Sequence, residues 1–241
     1  MKEKVMIGCP VRNRGWILPD YLQHLQNIKY PRSLIEYCFI INDCIDNTRE
    51  ILEEFAQNTL TPVRLITANL GNKQSDLRGV YNLSNLALLR NLLLEEFIES
   101  DCQYLLSVDS DILVPPNIIS RLIADNCAIV SALVCNGHEL KNKSIYNILL
   151  RTRDGKYKHF IDYPHNCLFK IDCTGAAYLI KRKVIESYKI RYSAHSGAED
   201  IGFCEAAARQ GLEIYCDSRI ECVHIMNKEQ YLKQPKINVL L

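Results

Sequence analysis

Four short apolar runs in the first half of the chain, Val5–Cys9, Tyr37–Ile41, Val63–Thr67 and Gln103–Val108, alternate with stretches of helical spacing. Runs of this length bounded by polar loops read as buried strands. The helical stretches carry their own signals. Leu18–Ile28 has Pro19 in its first turn and Tyr21, Leu22, Leu25 and Ile28 on one face. Asn47-Thr48-Arg49-Glu50 has the form of a capping box before Ile51, Leu52 and Phe55. Val80–Ser100 is a long helix, with Leu83, Leu86, Ala87, Arg90 and Leu94 near helical spacing. This alternation predicts an α/β fold with a doubly wound, mostly parallel sheet. Ligands in such sheets bind beyond the carboxyl ends of the strands. The polar segments Pro10–Gly15, Asn42–Asp46 and Asp109–Asp111 all follow strands, so they are expected on one rim.

The second half has a different pattern. Ala128–Val134, Ile145–Arg151, Tyr157–Ile161 and Ala176–Ile180 read as strands, with Arg153-Asp154-Gly155-Lys156 as a hairpin turn. A short helix follows from Arg182, and Glu199–Gln210 is a helix stopped by Gly211. Leu212–Asp217 and Ile220–His224 are expected as two late strands. No repeat or Gly/Ser linker interrupts the 241 residues. The expected organisation is a single domain over 1–241, with a first half at 1–114, a mixed half at 115–225 that closes the site, and a tail at 226–241.

Charge and hydropathy narrow the function classes. Lys+Arg total 29 against Asp+Glu 28, so there is no basic excess to suit nucleic acid. The apolar runs are too short to cross a bilayer. Val5, Met6 and Ile7 before Cys9 and Pro10 are too few for a signal peptide, and the expected location is the cytoplasm. Eleven cysteines form no C-x-x-C pair and lie mostly in apolar runs, which predicts reduced thiols packed as small hydrophobes.

Three groups can carry chemistry. Asp109-Ser110-Asp111 sets two carboxylates one residue apart after an apolar strand. Hard oxygen ligands of this kind suit Mn2+ or Mg2+, which bridge substrate phosphates, although Asp-rich loops also cap helices and turns. His224 ends a strand, either to complete a carboxylate metal site or to hydrogen-bond there. Glu199-Asp200 opens a helix, either as acids favoured by the helix dipole or as a general base.

The order of these segments resembles family 2 and related glycosyltransferases of GT-A fold. PVRNRGWILPDYL is similar to their first strand-to-helix loop, FIINDCIDNT to their second strand end, and LALLRN to their Ala-Arg-Asn helix segment. YLLSVDSDILVPP resembles the strand entering D-x-D, CTGAAYLIKRKV the glycine-containing acceptor segment, and GAEDIGFCEAAARQGLEIYCDSRIECVH the Glu-Asp helix with its terminal histidine. Matches run in order from about residue 5 to 224. The Arg-Asn-Arg loop and the Arg78 to Arg90 spacing also resemble Anp1-type fungal mannosyltransferases and collagen glycosyltransferase domains.

The resemblance implies a metal-dependent transfer of sugar from a nucleoside-diphosphate sugar, UDP-linked in preference to GDP-linked, to an acceptor hydroxyl with inversion. The acceptor would be a glycan, a lipid-linked molecule or a protein. By the same resemblance, Pro10, Arg12 and Asn13 line the nucleoside pocket, Asp43 bonds the base, and Arg78 and Arg90 face the donor. Asp109 and Ser110 belong to the diphosphate grip, with Asp109, Asp111 and His224 at the Mn2+ or Mg2+. Gly175 and Ala176 shape the acceptor site, Asp200 is the catalytic base, and Glu199 positions the acceptor. Asn42 stands where many relatives carry aspartate. Two rival readings are a sugar-phosphate nucleotidyltransferase, whose glycine-rich first loop Pro10–Gly15 matches poorly, and a non-catalytic nucleotide- or carbohydrate-binding module.

Overall fold

A computed structural model of the protein describes residues 3–71, 82–195, 197–226 and 228–233 (at 230 and 233, the backbone). The first half runs β1 (Val5–Val11), α1 (Leu18–Gln26), β2 (Ile35–Ile41), α2 (Thr48–Asn58), β3 (Val63–Thr67), α3 (Leu83–Glu99), β4 (Tyr104–Val108), β5 (Ile112–Leu113) and α4 (Ile118–Ala124). The second runs β6 (Ile129–Leu140), β7 (Lys143–Tyr146), β8 (Ile148–Arg151), β9 (Tyr157–His159), β10 (Leu168–Ile171), β11 (Cys173–Thr174), β12 (Ala177–Lys181), α5 (Arg182–Glu186), α6 (Glu199–Arg209), β13 (Ile214–His224) and α7 (Lys228–Lys233).

The main sheet has the order β10-β13-β6-β12-β4-β1-β2-β3. Strands β3, β2, β1 and β4 are mutually parallel. Strand β12 is antiparallel to both β4 and β6, while β6 and β13 are parallel. The α/β class and the mostly parallel sheet with a mixed second half are therefore observed. Strands β1 and β2 are almost wholly buried, as a sheet covered on both faces requires. One core layer packs Leu18, Tyr21 and Leu25 of α1 against Ile7, Cys9 and Phe39. The opposite layer packs Leu93, Leu94 and Phe97 of α3 against Met6, Cys38 and Ile40.

Several expected boundaries move. Strand β1 continues through Pro10 and Val11, which pair with Ile40 and Ile41. Pairing with β4 has ended by then at Gly8–Ser107, so the missing proline N–H falls on an unpaired side. Asn47 makes no capping bond; Asp46 Oδ1 instead accepts from Thr48 N at 3.1 Å. The expected helix start at Val80 lies outside the described residues, and within them α3 opens at Leu83 with Asn82 capping Asn85 N. The strand expected at Ile145–Arg151 breaks at Asn147, whose side chain turns into the core. The two late strands are one, β13, with a register shift between Asp217 and Glu221. Strands β5 and β10 have no counterpart in the apolar pattern. All eleven cysteines are free. No helix among the described residues is long and apolar enough to cross a membrane.

Candidate active site

The rim is built by the loops after β1, β2 and β4. The first two are laced together: Ile45 N donates to Asn13 Oδ1 at 2.9 Å, Arg14 N to Thr48 Oγ1 at 2.7 Å, and Gly15 N to Asp46 Oδ2 at 2.9 Å. Asn13 and Asp43 hold φ of 49° and 43°, a region that Asn and Asp tolerate best among side-chain-bearing residues. Asp43 Oδ2 accepts from Leu70 N at 3.1 Å and from Asn42 Nδ2 at 3.0 Å. Asn42 is buried and donates to the Ala68 carbonyl at 2.7 Å. An ionised aspartate has no proton for that carbonyl, which gives a physical reason for asparagine here.

At the end of β4, Asp109 N donates to Ala176 O at 2.8 Å, and Ile112 N to Asp109 O at 2.9 Å. This tight turn buries Ser110 and leaves both aspartates partly exposed at the strand end. Strand β5 then pairs with the end of β13, setting His224 opposite Ile112, and Ile225 N donates to Asp111 O at 2.9 Å. Sheet register therefore holds His224 beside Asp111, with Nε2 3.8 Å from Oδ1. The other ring nitrogen, Nδ1, lies 3.1 Å from the Cys135 carbonyl. A carbonyl only accepts, so Nδ1 carries a proton toward Cys135, and Nε2 is the ring nitrogen turned to the carboxylate. That is the arrangement in which an outer hydrogen bond fixes the tautomer of a ligating imidazole.

Arg90 joins the two halves of the site. Buried on α3, it donates Nη2 to Asp109 Oδ1 at 2.8 Å and Nε to Glu199 Oε1 at 2.9 Å, with Asp200 Oδ1 3.9 Å away. Its guanidinium lies 5.7 Å from the Tyr192 ring centroid. One cation thus serves three carboxylates. Burial, with Glu199 and Asp109 beside it, pushes the Asp200 carboxyl up to about 8 against the pull of Arg90. Tyr178 donates to Asp200 Oδ1 at 3.5 Å and is hydrogen-bonded to Tyr192.

The segment facing Asp200 is Gly175–Ala176. A Cβ on Gly175 would stand 2.2 Å from Asp200 Oδ2, so only glycine fits beneath this carboxylate. Ala176 follows at φ 66°, and Ala177 N closes on Gly175 O at 2.8 Å. Asn147 fixes this loop from below, donating to Gly175 O at 2.8 Å, Thr174 Oγ1 at 3.2 Å and Ala132 O at 3.1 Å.

Of the residues picked from sequence, Asp109, Asp111, His224, Arg90, Glu199, Asp200, Gly175 and Ala176 meet around this rim, with Arg12, Asn13 and Asp43 on the adjoining loops. Pro10 lies inside β1, and Arg78 lies outside the described residues. Asp109 faces Arg90, whereas Asp111 faces His224 and Arg14. The donor set of Asp111 and His224, carboxylate oxygen with imidazole nitrogen, fits a divalent cation. Elsewhere, Glu36, Asp101 and Cys102 cluster at the opposite end of the sheet. There Glu36 is paired with Arg64 and Asp101 with Lys4, which accounts for them as structural ion pairs. Sequence reasoning missed Arg14, Tyr178, Tyr192 and Asn147. Each sits in a segment already singled out or beside one, but only the folded chain shows which way its side chain turns.

This sheet order is the fold of GT-A glycosyltransferases. It aligns with GalNAc-T7 in complex with UDP, GalNAc and Mn2+ at TM-score 0.70 and 13% identity, over 93% of this chain and 44% of that one. The mannosyltransferase PcManGT of Pyrobaculum calidifontis, in complex with GDP-Man and Mn2+, aligns at TM-score 0.60 and 16% identity, over 96% and 59%. The sequence matches the Anp1 family over residues 1–151, and the chain belongs to that family. It is 30% identical over 135 residues to the mannan polymerase II complex anp1 subunit of Schizosaccharomyces pombe, covering 49% of this chain and 31% of that protein. The aligned part therefore spans about a third of that relative's length.

Proposed function

We propose that this chain is a metal-dependent glycosyltransferase that moves a sugar from a nucleoside-diphosphate sugar to an acceptor hydroxyl with inversion. The observation that carries this reading is the Arg90 junction, which sets the donor-side Asp109 and the acceptor-side Glu199 on one guanidinium with Asp200 beside it. On this reading residues 1–114 take the nucleotide and 115–225 the acceptor.

Pro10, Arg12 and Asn13 line the nucleoside pocket, with Asp43 at the base; uracil is favoured and guanine is the alternative. Arg78 is kept as a further donor-binding residue. Asp111 and His224 hold Mn2+ or Mg2+, with Asp109 and Ser110 completing the turn that faces the diphosphate. The bound cation supplies positive charge to the departing diphosphate. Gly175 and Ala176 leave room for the acceptor against Asp200, while Glu199 orients its hydroxyl. Asp200 takes the hydroxyl proton as the new C–O bond forms at the anomeric carbon and the bond to the phosphate oxygen breaks. A raised carboxyl suits that role, because proton transfer is most efficient when the base titrates near the working pH. The acceptor is a glycan, a lipid-linked molecule or a protein.

Thermal-shift titration of UDP, GDP and their sugars, with and without Mn2+, tests the reading on the wild type and Asp111→Ala. A ligand that binds only the folded state raises the Tm by mass action. A metal-dependent shift with one nucleotide, lost in Asp111→Ala, is the expected result. No shift with any nucleotide in any metal overturns the donor site and favours a binding module of another specificity.

A further inference from the structure

Arg14 is the one cation contacting Asp111 among the described residues that the scheme above leaves without a task. Its backbone is held on both sides. The amide donates to Thr48 Oγ1 at 2.7 Å, and the carbonyl accepts from Ile17 N and Leu18 N, both at 2.9 Å. Its Cα is thereby fixed at the entry of α1. The head group is held far more lightly. Nη1 donates to the Arg12 carbonyl at 3.2 Å, Nη2 stands 3.6 Å from Asp111 Oδ2, and Nε is buried without a hydrogen-bond partner. Asp111 thus has Arg14 at one oxygen and His224 at the other.

A guanidinium presents five donors in a planar fork that matches phosphate oxygens two at a time. Here only one of those donors is at hydrogen-bond distance from a described acceptor. A divalent cation on Asp111 competes with Arg14 for the same carboxylate, and it brings phosphate to the same place. We propose that Arg14 is a diphosphate-binding residue parked on Asp111, and that it passes to the phosphate oxygens of the donor when the cation takes the carboxylate. The inference rests on the donor-site reading above.

The exchange makes two affinities move in opposite directions. Removing Arg14 takes a competitor and a like charge away from the cation, so Mn2+ alone binds roughly three- to fivefold more tightly. The same change removes charge-assisted bonds to phosphate, so UDP or GDP at saturating Mn2+ binds roughly ten- to a hundredfold more weakly. A residue that only braced the loop would weaken both.

The experiment is calorimetric titration of Mn2+ alone, then of UDP and of GDP at saturating Mn2+, on wild type, Arg14→Ala and Arg14→Lys. Arg14→Lys keeps a point charge without the fork and covers the case in which the alanine variant folds poorly; its nucleotide affinity is expected between the other two. Opposite movement of the two constants supports the proposal. Movement in the same direction, or unchanged nucleotide affinity in both variants, overturns it while leaving the donor site standing. A wild type that binds neither nucleotide overturns the donor site and this inference with it.

Discussion

At Asp200 the packing works against the ionised carboxylate that proton removal requires. Its carboxyl stands at about 8 against an ordinary 3.8, so between those values the folded chain holds a proton that the unfolded chain has released. Stability therefore falls as pH rises through that window and levels off above about 8. Asp200→Asn has no such titration. Its Tm is expected to exceed that of the wild type by more at pH 8 than at pH 5, while the transfer rate drops by about 10²–10⁴. Melting curves at the two pH values check the first part, and an equal offset at both would rule out the buried titration. Gly175→Ala tests the same carboxylate from below. The new methyl must displace Asp200 Oδ2, so kcat is expected to fall about a hundredfold with little change in nucleotide affinity. Single-turnover kinetics beside nucleotide titration separate the two quantities.

Elements of the first half were legible because β1, β2 and β4 are largely buried, β3 at the sheet edge is still a short apolar run, and each strand ends in a polar loop, a pattern that survives in one dimension. Elements of the second half take their ends from side chains that bond across the sheet, and apolar periodicity carries no trace of that. Asn147 is the clearest case. It interrupts an apolar run to accept from Val134 N at 2.8 Å through Oδ1 and to donate through Nδ2 to three acceptors, Ala132 O on β6, Thr174 Oγ1 and Gly175 O. The site shows the same division. Asp109, Asp111, Glu199, Asp200 and His224 stand at strand or helix ends and were picked for that reason. Arg14 and Tyr178 were missed, because spacing says nothing of which carboxylate a long side chain meets. Asn147→Ala strands the Val134 amide and the Gly175 carbonyl, at a cost of about 2–3 kcal/mol. Asn147→Asp loses every donor to those carbonyls and is expected to be at least as unstable. Urea denaturation ranks the two; an aspartate variant as stable as wild type would show that the donors contribute little.

Strand β13 ties the molecule together, because it pairs with β10, β6 and β5 and carries His224 at its end. Its register shift follows Asp217, which is fully buried. Arg219 closes the shift: Nε and Nη2 bind the two oxygens of Asp217 at 2.7 and 3.1 Å, and Nη2 reaches Asp125 Oδ1 at 2.7 Å. Burial, with Asp217 beside it, already raises the Asp125 carboxyl against the pull of Arg219. Arg219→Ala leaves two neighbouring carboxylates without their shared cation, a costly arrangement inside a protein. Its Tm is expected to fall by several degrees at pH 7 and by less at pH 5, where one carboxyl takes up a proton and relieves the repulsion. The shift also sets the register in which His224 arrives beside Asp111, five residues further on. Mn2+ affinity is therefore expected to weaken in Arg219→Ala even at temperatures where the variant is fully folded, and Arg219→Lys is expected to recover part of it. Mn2+ titration well below the Tm decides the point: unchanged affinity would mean that pairing with β5 alone positions the histidine, and a loss would mean that the site is held by the whole length of the strand.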